Sequence, residues 1–281
     1  MFCGLQGTME GDFTGKEMYH LNFDPKGYFN MYKSFGLSVS PGNDERLRFI
    51  LERLHKTFAL DGIRGDTLID IGSGPSIYQL LSACESFKEI IASDLLEKNR
   101  EEMQKWLKKD PEAFDWTPMV KYVCQLEGDR ETWPEKQEKL RRTVKQVLKC
   151  DVTLANPFHP LVVPPADCVL SSCCLEGASK DFPAYRSALK NVASLVKPGG
   201  HLILVIPLEA TYYMAGQSKF SDCFVKPEMV KVAVKEVGFD IVCFENLNVD
   251  FPVALSDVKA FGFLVAQKCN KAEVATGKAK E

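Results

Sequence analysis

The sequence predicts an α/β fold: about five parallel strands and a closing antiparallel hairpin, covered by helices on both faces, with an N-terminal helical cap. Three observations carry this. Short apolar runs alternate with helical patterns along most of the chain; a glycine-rich turn follows the first such run; and the last two runs have no helix between them.

Residues 1–27 are polar and irregular. The aromatic cluster YFNMYKSFG leads to Pro41, after which Leu47, Ile50, Leu51, Leu54 and Phe58 recur at helical spacing within 43–60. TLIDI (67–71) is a short apolar run closed by glycines, which predicts a buried strand; SIYQLLSACESF (76–87) follows as a helix, and EIIASD as a strand ending at Asp94. LEKNREEMQKWLKK and PEKQEKLRRTVKQVLKC (134–150) have the pattern of charged amphipathic helices. The stretch between them, about 110–133, interrupts the alternation as an insertion, its charges reading as solvated helix faces. ADCVLSSCCLE then predicts a strand, FPAYRSALKNVASLV a helix, KPGGHLILVIP a turn and strand, and KPEMVKVAVKEVG a helix. FDIVCFENL and AFGFLVAQK close the sheet. The expected organisation is one domain over 1–268, with 1–60 as cap or lid and 100–150 as a helical insertion. The apolar-poor end, 269–281, is expected to be disordered.

The chain of 281 residues is long enough to bury a full core, and its net charge of −3 argues against a nucleic-acid binder. No run of 18 apolar residues occurs, so no membrane span is expected, and the N-terminus lacks the apolar core of a secretory signal. The ten cysteines are scattered through apolar runs without a CxxC pair, and the four histidines lie far apart. No metal site is expected; buried free thiols in a reducing cytoplasm fit better. No heptad or exposed apolar stripe stands out, so a monomer is expected.

The glycine turn, TLIDIGSGPSIYQ, is the first chemical signal. Gly72 and Gly74 let backbone N–H groups approach a ligand at the carboxyl end of a strand, where α/β folds bind ligands. The dinucleotide fingerprint needs a third small residue, where this chain has Ile77, and the phosphate loop with its lysine is absent. Asp94, at the end of the next strand, offers a carboxylate for a ribose. Asp70, just before the turn, is expected to shape it through backbone N–H groups. Ribose chemistry without a phosphate device suits S-adenosylmethionine. Asp151 in KCDVT is placed to meet an adenine amino group. An NAD-dependent oxidoreductase is disfavoured by Ile77. A non-catalytic S-adenosylmethionine-binding protein would predict erosion of the loop or of Asp94, and neither is seen.

The stretches LIDIGSGPSIYQLLSACESFKEI, QKWLKKDPEAFDW, VKQVLKCDV, PPADCVLSSCCLE and LVKPGGHLILV resemble the family of nicotinamide, indolethylamine (thioether) and phenylethanolamine N-methyltransferases, over about residues 13–268. The resemblance implies a class I methyltransferase fold with a Rossmann-like, seven-stranded, mostly parallel sheet and an N-terminal helical lid. It also implies S-adenosyl-L-methionine as cofactor and a cytoplasmic enzyme acting on a small amine. It places cofactor contacts on Tyr28, Gly72, Ser73, Tyr78, Asp94, Asn99, Asp151, Val152 and Ser172, with Gly74 beside them. Where the family carries a second lid tyrosine this chain has Lys33, with Tyr32 adjacent; either Tyr32 takes over through a small register change, or that contact is lost.

Methyl transfer from a sulfonium is an in-line displacement, for which the protein aligns donor and acceptor and excludes water. An aliphatic amine must first lose a proton, which a carboxylate assists. The resemblance points to Glu176 for the amine, with Asp257 as a second acid and Tyr213, of the pair Tyr212 and Tyr213, near donor and acceptor. Places that hold a carboxamide in the nicotinamide enzyme are here Ile206 and Ala210, and a serine there is Asp222. The expected acceptor is therefore an arylalkylamine such as tryptamine or phenylethanolamine. Nicotinamide, another pyridine or a thioether is the alternative.

Overall fold

The computed structural model describes residues 13–33, 35 and 41–270; residues 1–12 of the expected cap and 271–281 of the expected tail lie outside them. Five strands, β1 (Gly65–Ile71), β2 (Phe87–Asp94), β3 (Val144–Lys149), β4 (Ala166–Ser172) and β5 (Val196–Leu208), run parallel in the order β3-β2-β1-β4-β5. β9 (Ala260–Lys268) lies antiparallel against β5, and β8 (Phe239–Asn248) antiparallel against β9, completing a seven-stranded sheet. The order reverses between β1 and β4, so the carboxyl ends of these two strands flank the crevice where such sheets bind ligands. One apolar cluster, with Leu68 and Ile203, fills one face; another, with Ile69 and Leu204, fills the other.

The helices α4 (Glu97–Leu107), α7 (Phe182–Ala193) and α8 (Pro227–Glu236) lie where their apolar stripes predict, and α3 (Pro41–His55) precedes a π-helical turn at Lys56–Leu60. Two predicted helices differ. The stretch 76–87 forms only two 3₁₀ turns, Tyr78–Leu80 and Ala83–Glu85. Every residue from Ser76 to Cys84 is buried, so there is no polar face. The Gln79 amide also donates to the carbonyls of Ser73 and Ser76 and so competes with regular helical bonds.

The second difference is at 134–150, where α6 (Trp133–Thr143) gives way to β3. A capping box, Thr132 with Glu135, starts the helix. At Val144 the backbone becomes extended and pairs with β2, and the exposed Lys145 and Lys149 suit an edge strand. The insertion also contains α5 (Thr117–Leu126), and its charges are not all solvated. Lys136 is 0% exposed and donates to Glu127 and Glu85 at 2.6 and 2.7 Å, pinning α6 to the body of the protein.

The cap contributes α1 (Lys16–Asn22) and α2 (Pro25–Asn30), seated on a hairpin of β6 (Tyr212–Ala215) and β7 (Ser218–Ser221) that the sequence patterns do not announce. Thr14 and Ser221 exchange two hydrogen bonds, at 2.8 and 3.0 Å. Gly27 packs on the Gly216 backbone so closely that a Cβ would lie 2.5 Å from its Cα. The described cysteines are all free thiols. Among the described residues no helix is long and apolar enough to cross a membrane.

Candidate active site

A cavity opens at the carboxyl ends of β1, β2 and β4 beneath the cap. Its floor is the glycine turn. Gly72 has φ of +70°, and a Cβ there would fall 2.2 Å from the Cys174 sulfur, so glycine is demanded by packing as well as by backbone conformation. Asp70 is fully buried behind the turn and accepts from Ser73 Oγ at 2.6 Å and Gln79 Nε2 at 2.9 Å. The predicted backbone donors are therefore replaced by side chains. Burial pushes the Asp70 carboxyl up to about 6, against those two hydrogen bonds.

Asp94 ends β2 and accepts from the backbone N–H groups of Leu96 and Gly74, at 2.8 and 2.9 Å, and from Asn99 Nδ2 at 3.0 Å. Burial raises its carboxyl nonetheless. Asn99 Oδ1 is buried without a partner. Further along the wall, Val152 is buried and Asp151 binds Lys16 of α1, clasping the cap over this end. Burial would raise Asp151, but Lys16 and Thr153 hold it below the usual carboxylate range.

Away from the glycine turn the wall is largely aromatic: Tyr213, Phe251, Leu255 and Phe261 line it with Tyr19 and Phe23 of the cap. Tyr213 donates to the Tyr19 hydroxyl at 3.0 Å, and its ring stacks on Phe220 at 5.5 Å. Asp222 lines this wall, with its Oδ1 facing Gly177. Burial and the charge of Asp257 push its carboxyl up to about 7, and no donor lowers it.

The structure brings Tyr28, Gly72, Ser73, Gly74, Tyr78, Asp94, Asn99, Asp151, Val152, Ser172 and Tyr213 together on the cavity wall. Three predicted residues lie off it. Glu176 is 2% exposed; its carboxyl faces the Tyr185 hydroxyl inside the core, and burial pushes it up to about 8. The cause is the sharp turn after β4, with Cys173 at φ of +52°, which leaves Cys174 and Gly177 on the cavity and turns Glu176 inward. Asp257 accepts from the Thr211 backbone and hydroxyl, at 2.8 and 2.6 Å, and so anchors the β5–β6 connection. Tyr32 is buried behind Tyr28, to whose hydroxyl it donates at 2.9 Å, whereas Lys33 is exposed over the Phe29 ring. Ile206 also packs in the core, with the wall formed by its neighbour Pro207.

The profile of the NNMT/PNMT/TEMT family matches residues 11–269. The chain belongs to this family of S-adenosylmethionine-dependent N-methyltransferases. It is 50% identical to human (Homo sapiens) nicotinamide N-methyltransferase, over 94% of this chain and 99% of that one. It is 52% identical to rabbit (Oryctolagus cuniculus) indolethylamine N-methyltransferase, over 92% and 98%. To human phenylethanolamine N-methyltransferase it is 39% identical, over 78% and 79%. In fold it resembles the magnesium protoporphyrin IX methyltransferase of Synechocystis PCC 6803, solved with S-adenosylmethionine, at a TM-score of 0.55 and 12% identity over 86% of this chain and 90% of that one.

The methyltransferase cavity fits this donor. A Cβ at Gly74 would come no nearer than 4.0 Å to another side chain, and the orphaned Asn99 Oδ1 and the Asp94 carboxylate suit hydroxyl or amino donors of a nucleoside. When bound, S-adenosylmethionine supplies an electrophilic methyl group on a sulfonium. Sequence patterns missed Lys16, Tyr19, Arg46 and Asp222 on the wall. Only Asp222 gave a signal, as an acid where the family's nicotinamide enzyme has a serine.

Proposed function

We propose that this methyltransferase acts on a small arylalkylamine, bound as its ammonium ion against Asp222 and between aromatic side chains. The observation that carries the reading is the unpaired Asp222 carboxyl on the largely aromatic part of the cavity wall. A half-buried, desolvated carboxylate without a counter-charge is relieved by a cation. Identities of 50% and 52% to enzymes named for two different acceptors do not separate nicotinamide from indolethylamine.

Tyr28, Gly72, Ser73, Gly74, Tyr78, Asp94, Asn99, Asp151, Val152 and Ser172 bind and orient the donor. Tyr213, Tyr19 and the cap exclude water from the reacting centre. Phe251 and Phe261 offer apolar surface on the cavity wall for the aryl group. Asp222, whose carboxyl sits up near 7, is basic enough to accept the ammonium proton and free the nitrogen lone pair.

A screen with labelled donor across tryptamine, phenylethanolamine, nicotinamide and a dialkyl sulfide tests this. The arylalkylamines should give the highest kcat/KM. Asp222→Asn should lower kcat/KM for them by about 10- to 100-fold while sparing the neutral sulfide. For the amines kcat/KM should rise with pH through about 7, as Asp222 ionises, and this step should vanish in the variant. Nicotinamide as the best acceptor, or equal losses across all acceptors, would overturn the reading.

A further inference from the structure

Among the described residues, a buried cation on the cavity wall has no anion paired with it. Arg46, on α3, lines the cavity with 7% of its surface exposed, and its Nε and one terminal nitrogen (Nη2) are buried without a hydrogen-bond partner. The guanidinium lies over the rings of Tyr32, Phe261 and Phe251, at 5.0, 5.3 and 5.8 Å from their centroids. Those faces partly compensate a cation but give its N–H groups no acceptor. The groups that act on it most strongly are Tyr32, Tyr78, Tyr28 and Cys173, none of them a carboxylate.

The surroundings indicate which anion fits. Tyr32 donates to the Tyr28 hydroxyl, and the Tyr32 and Tyr78 rings lie 5.4 Å apart, so three phenols gather beside the guanidinium. Tyr28 and Tyr78 line the same cavity as Gly72 and Ser73. Lys33 points to solvent and brings no donor here. A planar fork with two free N–H directions, flanked by phenol hydroxyls, is built for a carboxylate. Every turnover brings one into this cavity, on the amino-acid end of the donor.

We propose that Arg46 receives the α-carboxylate of the donor's methionine moiety, with the hydroxyls of Tyr28 and Tyr78 beside it. Arg46 thus carries, from α3, the donor contact that Lys33 does not make. The proposal rests on S-adenosylmethionine as donor and not on the identity of the acceptor.

The test is isothermal titration of wild type, Arg46→Met and Arg46→Lys with S-adenosylhomocysteine and with its decarboxylated analogue, S-adenosyl-3-thiopropylamine. No acceptor is present. Arg46→Met should weaken S-adenosylhomocysteine by about 10- to 100-fold, the scale of charged hydrogen bonds, and leave the analogue unchanged. Arg46→Lys should lose less, because it keeps the charge without the fork. Ligand-free Arg46→Met should melt no lower than wild type, since it removes an uncompensated buried charge. If Arg46→Met does not fold, the same ligand selectivity in Arg46→Lys decides. Equal losses for both ligands, or none, would overturn the proposal and direct Arg46 to an anion on the acceptor. Failure of wild type to bind S-adenosylhomocysteine would remove the donor assignment instead, and the proposal with it.

Discussion

At the donor end of the cavity Asp94 takes three hydrogen bonds from its own neighbourhood, whereas at the acceptor end no donor acts on Asp222. The contrast extends to the walls. The donor end is made of strand ends and of a turn whose glycine could not be replaced without striking Cys174. The acceptor end is made of the cap, the β6–β7 hairpin and the stretch around Phe251, which meet as side chains. Groups satisfied within the protein are held in place before any ligand arrives. A group left unpaired is costly until the right ligand comes, and so it discriminates between ligands. Around Asp94 most groups are thus satisfied before a ligand arrives, with Asn99 Oδ1 left open, whereas Asp222 waits for one.

The sharpest way to break this comparison is at Asp94. Asp94→Ala should weaken S-adenosylhomocysteine by about 100-fold or more, because it removes a charged acceptor and strands three donors. An unchanged titration would show that the pre-formed network does not hold the donor.

Glu176 tests the boundary between site and core. Its carboxyl is raised to about 8 and so prefers to be neutral in the folded protein. That preference stabilises fully below the ordinary carboxyl value near 4.5 and is lost as pH rises through about 8. Asp70 and Asp222 act with the same sign. Ligand-free protein should therefore melt lower at about pH 8.5, above that window, than at about pH 4, below it. Glu176→Gln should recover on the order of 2–4 °C at the higher pH. Calorimetry showing parallel pH curves would sink this, as would a selective loss of charged amines in the variant, which would return Glu176 to the acceptor.

The smallest effect is expected at the clasp. Lys16 is 44% exposed, and its pair with Asp151 is of the kind worth little in water. Lys16→Ala should speed S-adenosylhomocysteine release by about two- to fivefold in stopped flow. A far larger change would mean that the cap, and not the strand ends, retains the donor.

The parts legible in the sequence were those built from neighbours in the chain. TLIDI, EIIASD and ADCVLSSCCLE each fold as a strand up to the turn that follows, and Gly72, Asp94 and Asn99 face the cavity because strand ends and first helical turns must. Patterns failed where partners came from far away. SIYQLLSACESF lost its helix to burial on every side, and VKQVLK became a strand by pairing with β2. Glu176 misled because its neighbours do face the cavity, and one turn of backbone separates the two directions.

By itself, then, the sequence determined the sheet, the glycine turn and the acid at the end of β2, because alternation, turn chemistry and spacing are local properties of a chain. Only the tertiary structure decided which charges stay unpaired. Arg46 and Asp222 lie 176 positions apart on α3 and just past β7; folding brings both to the cavity, Arg46 buried without a hydrogen-bond partner and Asp222 half-buried with no donor acting on its carboxyl.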